Sequence, residues 1–253
     1  MLSLPAVVAC AAFWQFHPTI QMRDGKSATL IGSGPPVLFS PGVYGRSTWR
    51  VYGQLLRTMG ENVTVAVVPG AVTTGTVDAL TTELGVDRIG LVAHAACDPS
   101  LLRSRRVCRA ALIDPIARPM LNSVQTATPT LVVRTELLET DERFPDFHRM
   151  LVRGDAVRES TWVDVGHADV LDDTWAELAS KSRVWRGARS QTVLFGQWDR
   201  TAVRDALAQR KQVRTDYRVG VANEIVEFLL QDQGGATDTP APLTSTADLE
   251  MAS

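Results

Sequence analysis

Two side chains with complementary acid–base chemistry follow separate predicted strands of this sequence. Asp114 comes directly after the apolar run at 108–113, and His167 follows the run at 161–165 after one glycine. In a parallel sheet, functional residues gather beyond the carboxyl ends of the strands. A carboxylate there can orient an imidazole, and the imidazole can then act as a general base. The pattern therefore predicts an acid–histidine pair, Asp114 and His167, at one edge of a sheet.

The roles of the neighbouring acidic residues stay open. Asp114 lies in an Ile-Asp-Pro segment, where an aspartate can also cap a turn. In that case the acid would be one of three residues after the run at 129–133: Glu136, Glu139 and Asp141. Three aspartates follow the histidine and are interpreted as caps and dipole partners of a helix at 174–181: Asp169, Asp172 and Asp173.

The position that would supply a nucleophile carries none. After the strand predicted at 88–93, the segment 93–97 reads AHAAC, in the register of a Gly-x-Ser-x-Gly nucleophile elbow. Ala95 stands at its centre and has no lone pair with which to attack a carbonyl. Cys97 lies two residues beyond the tip, so we expect its thiol to point into packing. We expect His94 to be a packing residue as well.

The elements that must position these residues alternate along the chain. Short apolar runs predict strands, and the longer stretches between them predict helices. The predicted strands are 36–40, 63–68, 88–93, 108–113, 129–133 and 161–165. The predicted helices are 47–59, 71–84 and 205–231. Near-continuous apolar strands that alternate with helices indicate an α/β fold with a mostly parallel sheet and helices on both faces.

A single domain accounts for most of the chain. With 253 residues, the sequence is long enough for one large α/β domain, which we place at 28–232. Residues 1–27 form an irregular or targeting-like N-terminal segment. Its apolar part at 2–16 is either a targeting remnant, or a strand or surface-lying segment. Residues 233–253 form a tail rich in Pro, Thr and Ala, with too little apolar surface to order itself.

Composition excludes several classes of function and site. With a net charge of −2, the chain lacks the excess of basic residues that is typical of a nucleic-acid-binding protein. The three cysteines have no CxxC spacing and cannot form a disulfide framework, and the four histidines lack the paired spacing of a zinc site. We therefore expect no metal. No apolar run reaches the roughly 18 residues that a membrane span needs, so we expect no transmembrane helix.

An acid and a histidine in this chain order after an elbow register are typical of the α/β-hydrolase fold, and the sequence resembles the chlorophyllases of plants and algae. The resemblance runs from Pro35 to Leu230. PPVLFSPGVYGRSTWRVYGQLL resembles the family's strand, His-Gly oxyanion turn and following helix, and RIGLVAHAAC occupies the place of its GHSRGG elbow. AALIDP and TPTLVV resemble the acid-bearing segment and the next strand. VGHADVLDD closely matches the G-H-x-D-x-L-D-D segment around the family's triad histidine.

This resemblance implies a role for each matching position. Chlorophyllases cut the phytol ester of chlorophyll with a serine triad. By the resemblance, Asp114 is the vestigial triad acid and His167 the vestigial base. Val43 and Ala96 would supply the amides of the oxyanion hole. Ala95 stands where the family has its nucleophilic serine.

Several departures from the family surround the missing nucleophile. Ala93 and Cys97 replace the glycines that flank the elbow, and Pro41 replaces the histidine of the oxyanion turn. The pair 98–99, Asp-Pro, interrupts the helix that the elbow should begin. Four arginines follow, which we expect on a solvated or partner-facing side of that helix: Arg103, Arg105, Arg106 and Arg109.

Together these features predict a non-catalytic, chlorophyllase-like α/β-hydrolase that serves as a binding or structural subunit. The resemblance implies a plastid setting and chlorophyll as a ligand. It also implies a membrane pigment–protein complex as the partner, contacted through both termini and the four arginines. One alternative is a chlorophyllase-type carboxylic-ester hydrolase in which Ala95 is an engineered inactivation. The other is an unrelated small-molecule binder on the same scaffold.

Overall fold

An eight-stranded sheet forms the centre of the part of the chain that the structure describes. The computed structural model describes residues 17–41, 51–95, 97–115, 124–126, 128–136, 151–152, 156–173 and 200–231. The strands of the sheet are β1 (Thr19–Gln21), β2 (Ser27–Ile31), β3 (Pro36–Ser40), β4 (Thr64–Val67), β5 (Ile89–His94), β6 (Val107–Ile113), β8 (Thr130–Thr135) and β10 (Val157–Trp162). Two short strands, β7 (Val124–Gln125) and β9 (Leu151–Val152), pair with each other in parallel.

Strand order and direction define the topology of this sheet. The order across the sheet is β1-β2-β4-β3-β5-β6-β8-β10. β2 runs antiparallel to both of its neighbours, β1 and β4, and every pairing from β4 to β10 is parallel. This order, with its antiparallel second strand, is that of the α/β-hydrolase fold. The predicted fold class, a mostly parallel α/β-hydrolase sheet, is confirmed.

Alternate residues of the central strands face helices on the two sides of the sheet. The helices of the described part are α1 (Gly53–Gly60), α2 (Thr74–Glu83) and α3 (Arg200–Leu230). Val37 and Phe39 of β3 join a core cluster with α1 and α3, whereas Leu38 between them joins a second cluster with α2. All six residues of β5 are buried, as a strand covered on both faces requires.

The apolar runs of the sequence located the central strands well. Five of the six predicted strands coincide with β3, β4, β5, β6 and β8 to within two residues at either end. The sixth was predicted at 161–165, whereas β10 ends at Trp162 because Val163 and Asp164 form a turn. The pattern did not predict β1, whose outer residues are exposed at the sheet edge, or β2.

The predicted helices correspond to the three observed ones, with different starting points. α2 begins three residues later than predicted, after Thr73, whose side chain accepts a hydrogen bond from the backbone N of Thr76. α3 begins five residues earlier than predicted, at Arg200. α1 covers the second half of the predicted 47–59, whose first residues lie outside the described ones. None of the helices in the described ranges is both long enough and apolar enough to cross a membrane.

A close contact fixes α3 against the outer strand β10. The Trp162 ring lies edge-on to the ring of Tyr217, with centroids 5.5 Å apart. Its Nε1 donates to Glu224 Oε2 at 3.1 Å, and Ser160 Oγ donates to the same oxygen at 3.0 Å. A Cβ on Gly220 would lie only 2.3 Å from the Trp162 ring. Glycine at this position therefore allows the helix to approach the indole closely.

We predict that Gly220→Ala lowers the free energy of unfolding by about 1–3 kcal/mol, because the new methyl group overlaps a rigid, hydrogen-bonded ring. Alanine is otherwise the better helix former. Urea unfolding followed by circular dichroism measures the change. Gly75→Ala in α2 is the matched control, since a Cβ there would meet only Thr73 Oγ1, at 3.7 Å. A Gly220→Ala midpoint at or above that of the wild type would contradict the packing described.

Candidate functional site

Two neighbouring parallel strands end in residues with a left-handed backbone. β5 and β6 pair so that His94 lies opposite Ile113. Ala95 follows with φ 61°, and its N donates to the Ile113 carbonyl at 2.9 Å. Asp114 has φ 43°, and its N donates to the Val133 carbonyl at 2.8 Å. Both strand ends thus turn sharply at the same edge of the sheet. This backbone conformation costs an alanine roughly 1–2 kcal/mol, whereas an aspartate tolerates it better.

The carboxylate of Asp114 is surrounded by hydrogen-bond donors. Oδ1 accepts from the backbone N of Thr135 at 2.8 Å, and Oδ2 accepts from Thr135 Oγ1 at 2.8 Å. Oδ2 also lies 3.1 Å from Nδ1 of His167, and all three residues are buried. Because an ionised carboxylate can only accept, we assign the ring proton to Nδ1 of His167. The geometry is that of the acid–base half of a hydrolytic triad.

A second histidine lies against the first. His94 places its ring centroid 4.4 Å from that of His167, with the ring planes 30° apart. Its Nδ1 lies 2.6 Å from the Tyr52 hydroxyl, and that hydroxyl donates to the Pro41 carbonyl at 3.2 Å. The hydroxyl therefore accepts from His94. Contacts through Tyr52 and His94 thus connect Pro41, the residue after β3, to the pair of Asp114 and His167.

Burial and a neighbouring imidazole keep His94 uncharged. Burial, followed by electrostatic repulsion from His167, holds the pKa of His94 well below its ordinary value. A hydrogen bond that the protonated ring would make to the backbone of His167 opposes these two effects only in part. At neutral pH His94 is therefore an uncharged packing and hydrogen-bonding residue and not a general acid.

The described residues after Ala95, from 97 to 106, do not form the helix that follows a nucleophile elbow. Residues Pro99–Arg103 form a short 3₁₀ helix, whose cap Asp98 accepts from the backbone N of Ser100 at 2.9 Å. The chain then enters β6 at Val107. The sequence predicts that Asp98 and Pro99 interrupt the helix here, and in the structure these two residues cap and begin the short 3₁₀ helix that stands in its place.

The four arginines of this interval are spread over different elements. Arg103 ends the 3₁₀ helix, Arg105 and Arg106 lie in the turn after it, and Arg109 lies in β6. Arg103 and Arg105 are exposed. Arg106 donates to a backbone carbonyl at 3.2 Å, and the guanidinium of Arg109 lies 5.2 Å from the centre of the Phe228 ring. The prediction that the four share one side of a helix is wrong.

Cys97 is a buried, protonated thiol. It packs in the cluster that contains α2. Burial, and then the negative charge of Asp98, raise the pKa of Cys97 to about 12. Its Sγ lies 3.6 Å from the Asp98 carbonyl, to which it donates. The nucleophile of a thiol is its thiolate, so this side chain offers no replacement for the missing serine.

Of the other predicted site residues, only some lie in the part of the chain that the structure describes. Four of them lie outside the described residues: Val43, Ala96, Glu139 and Asp141. Glu136 is described, and its Oε2 accepts from the backbone N of Asp164 at 2.9 Å. Glu136 therefore supports the turn before His167. The carboxylate that pairs with the His167 ring is that of Asp114.

Sequence reasoning missed the residues that support the acid–histidine pair. Thr135 could have been found, because it ends β8 and the parallel register of β6 and β8 brings it beside Asp114. Tyr52 gave no comparable signal. It precedes α1, and only the fold brings its hydroxyl to His94.

One group of side chains in the described ranges could share a metal ion, and it is this same cluster. One donor atom from each of His94, Asp114 and His167 lies within 4.8 Å of the others. However, both oxygens of Asp114 already accept hydrogen bonds from Thr135, and one of them also faces His167. These contacts account for the cluster as a hydrogen-bonded pair with a histidine packed beside it, so we assign it no metal.

Comparisons with known proteins found similar solved structures, all at low sequence identity. No protein-family model matches the chain, and no curated protein sequence matches it. Among solved structures, an epoxide hydrolase from Vigna radiata is similar at 11% identity and a TM-score of 0.46 over 65% of this chain and 96% of that one. A bacterial membrane phospholipase A is similar at 13% identity and a TM-score of 0.48 over 74% and 93%. An α/β-hydrolase-fold protein from Burkholderia ambifaria is similar at 13% identity and a TM-score of 0.44 over 65% and 98%.

We predict that His94 makes the protein less stable as the pH falls below about 6.5, the ordinary pKa of histidine in an unfolded chain. The pKa of His94 is lowered in the folded state. Below about pH 6.5 the unfolded chain therefore binds a proton that the folded chain rejects. The free energy of unfolding then decreases by up to about 1.4 kcal/mol per pH unit from this group, until the folded pKa is reached.

Urea unfolding of the wild type and His94→Gln at about pH 7.5 and about pH 5.5 measures this contribution. Glutamine does not titrate but keeps an N–H that can donate to Tyr52. We expect the variant to lose less stability than the wild type on acidification. An equal loss in both proteins would show that His94 does not carry the effect.

Proposed function

We propose that this protein is a non-catalytic α/β-hydrolase-fold protein that serves as a binding or structural subunit. The observation that carries the proposal is Ala95, a methyl group at the position where the fold presents its nucleophile. Asp114 and His167 form the acid–base half of a triad, but the described residues bring no hydroxyl or thiolate to its third position. Removal of a triad serine costs a hydrolase a factor on the order of 10⁶ in kcat.

The segment after Ala95 supports the same proposal. In a serine hydrolase of this fold, a helix begins at the elbow, and its N-terminal amides and dipole stabilise the oxyanion. Here a 3₁₀ helix of five residues takes that place, beginning at Pro99, which has no amide hydrogen. The chain therefore offers weaker electrostatic support for a tetrahedral intermediate. Loss of a single oxyanion donor already costs about 10²–10³ in kcat.

The proposed ligand and setting come from the resemblance to the chlorophyllases. VGHADVLDD is the most specific segment of that resemblance, and it contains His167. A protein that kept a chlorophyllase scaffold without its nucleophile would bind chlorophyll in a plastid, without cleaving its phytol ester. The partner would be a membrane pigment–protein complex. Arg103 and Arg105, which are exposed, are the arginines best placed to contact its anionic groups.

A second candidate function is a carboxylic-ester hydrolase of the same type in which Ala95 stands for a serine. Two observations favour it. Ala95 keeps the left-handed φ of 61° that a nucleophile elbow needs, and His167 keeps its hydrogen bond to Asp114. In this case the alanine would replace the nucleophile of a triad whose acid and base are both kept. The two candidates differ in what a restored hydroxyl would do.

We predict that the wild-type protein hydrolyses p-nitrophenyl acetate and chlorophyll a no faster than His167→Ala does. We further predict that Ala95→Ser stays within about tenfold of the wild type. Initial rates with purified, folded proteins measure both. The matched control is the double variant Ala95→Ser/His167→Ala, which has the hydroxyl without its base. A gain of about 10³ or more in Ala95→Ser, abolished in the double variant, would overturn the proposal in favour of the ester hydrolase.

We predict that the wild type binds chlorophyll a in detergent micelles saturably, as followed by pigment fluorescence. Retinyl palmitate, another long-chain ester without a macrocycle, is the control ligand. Binding of chlorophyll alone supports the proposal. Binding of both ligands, or of neither, would contradict a chlorophyll-specific site and would favour an unrelated small-molecule binder on this scaffold.

A further inference from the structure

The loop that carries His167 is bound by charged contacts from two helices. We call residues 164–173 the histidine loop. Three of its aspartates were interpreted as caps of a helix at 174–181, which lies outside the described residues. In the structure each of the three binds elsewhere: Asp169, Asp172 and Asp173.

Asp169 joins the histidine loop to α3. Its Oδ1 accepts from Arg214 Nε at 2.9 Å, and its Oδ2 accepts from Arg210 Nη2. Oδ2 also accepts from the backbone N of Gly166, the residue before His167, at 2.8 Å. One buried carboxylate therefore holds both the helix and the backbone beside His167.

Arg218 binds two groups of the same loop and one group of α1. Its Nε donates to the backbone carbonyl of Asp169 at 3.1 Å, and its Nη2 pairs with the carboxylate of Asp173. Its Nη1 donates to Gln54 Oε1 of α1 at 2.7 Å. The side chain is buried, so water cannot replace these partners. A guanidinium suits this task because its donors have a fixed, planar geometry.

Asp172 joins the histidine loop to the beginning of α1. Its Oδ1 accepts from the backbone N of Gln54 at 3.0 Å, and its own N donates to the Val51 carbonyl at 2.8 Å. It thus caps α1 from a distant part of the sequence. A Cβ on Gly53 would lie 2.7 Å from Asp172 Oδ2, so glycine leaves room for the cap. α1 and α3 both hold the loop.

We propose that Asp169 is a positioning residue for His167. Held by the arginines of α3, it fixes the backbone beside His167 and so determines where the imidazole lies relative to Asp114. Arg210, Arg214 and Arg218 are spaced four residues apart and therefore share one face of α3. The pairs formed by Asp169 are largely buried and so are little screened by salt. This inference does not depend on whether the protein cleaves esters.

The test compares Asp169→Asn with Asp216→Asn in the full-length chain. Asp216 is the matched control, since it lies exposed on α3, where it accepts a hydrogen bond from Gln212 Nε2 at 2.7 Å. Nitrogen-15 NMR of the imidazoles reports the tautomer of His167 and the exchange of its ring proton with water. The His167→Gln spectrum assigns the signal. Urea unfolding of each variant measures global stability separately.

We expect the ring proton of His167 to exchange about tenfold faster in Asp169→Asn, and the population of the tautomer with Nδ1 protonated to decrease. Asp216→Asn should match the wild type in both. An unchanged His167 signal in Asp169→Asn would overturn the proposal, even with a lower unfolding midpoint, because Asp169 would then only stabilise the fold. Should Asp169→Asn not fold, Arg214→Lys decides by the same signal: faster exchange supports the proposal, and wild-type exchange overturns it.

Discussion

A buried carboxylate that must be solvated without bulk water is the constraint on which this structure depends. Asp114 lies at the end of β6, and an ion buried there without partners would cost several kcal/mol. Thr135 at the end of β8 and His167 in the loop after β10 supply the hydrogen bonds. These donors meet the carboxylate only when β6, β8 and β10 lie side by side in parallel. The strand order of the sheet and the geometry of the site are therefore consequences of each other.

The charges around this centre are arranged in two adjacent systems. Asp114 is held by a neutral threonine and a histidine, with neutral His94 stacked beside that ring. The second system consists of charged side chains, in which Asp169 pairs with Arg210 and Arg214 of α3. Burial, then the charges of Asp114 and Asp169, raise the pKa of Tyr217 well above its usual range, so its hydroxyl stays protonated.

The sequence could predict the central strands and the acid–histidine pair, because both depend on local patterns. Apolar runs predicted β3, β5 and β6, and the residues that follow each of these strands could be identified from the sequence itself. β1 could not be found in this way, because it is a short, exposed edge strand that gains its stability by pairing with β2. The contacts that the histidine loop makes with α1 and α3 could not be found either. They join residues more than 40 positions apart, and an aspartate carries no local signal of a distant arginine.

The segment after β5 bears on how the strain at Ala95 is interpreted. The resemblance suggested a helix there, but the chain must reach β6 within a short interval, and a 3₁₀ helix is what fits. The left-handed φ of Ala95 survives this change, because its N–H is bonded to the Ile113 carbonyl by the register of β5 and β6. The pairing of β5 and β6 thus supports the strained backbone at Ala95. A strained backbone at the nucleophile position is therefore a property of this sheet and not by itself evidence of retained catalysis.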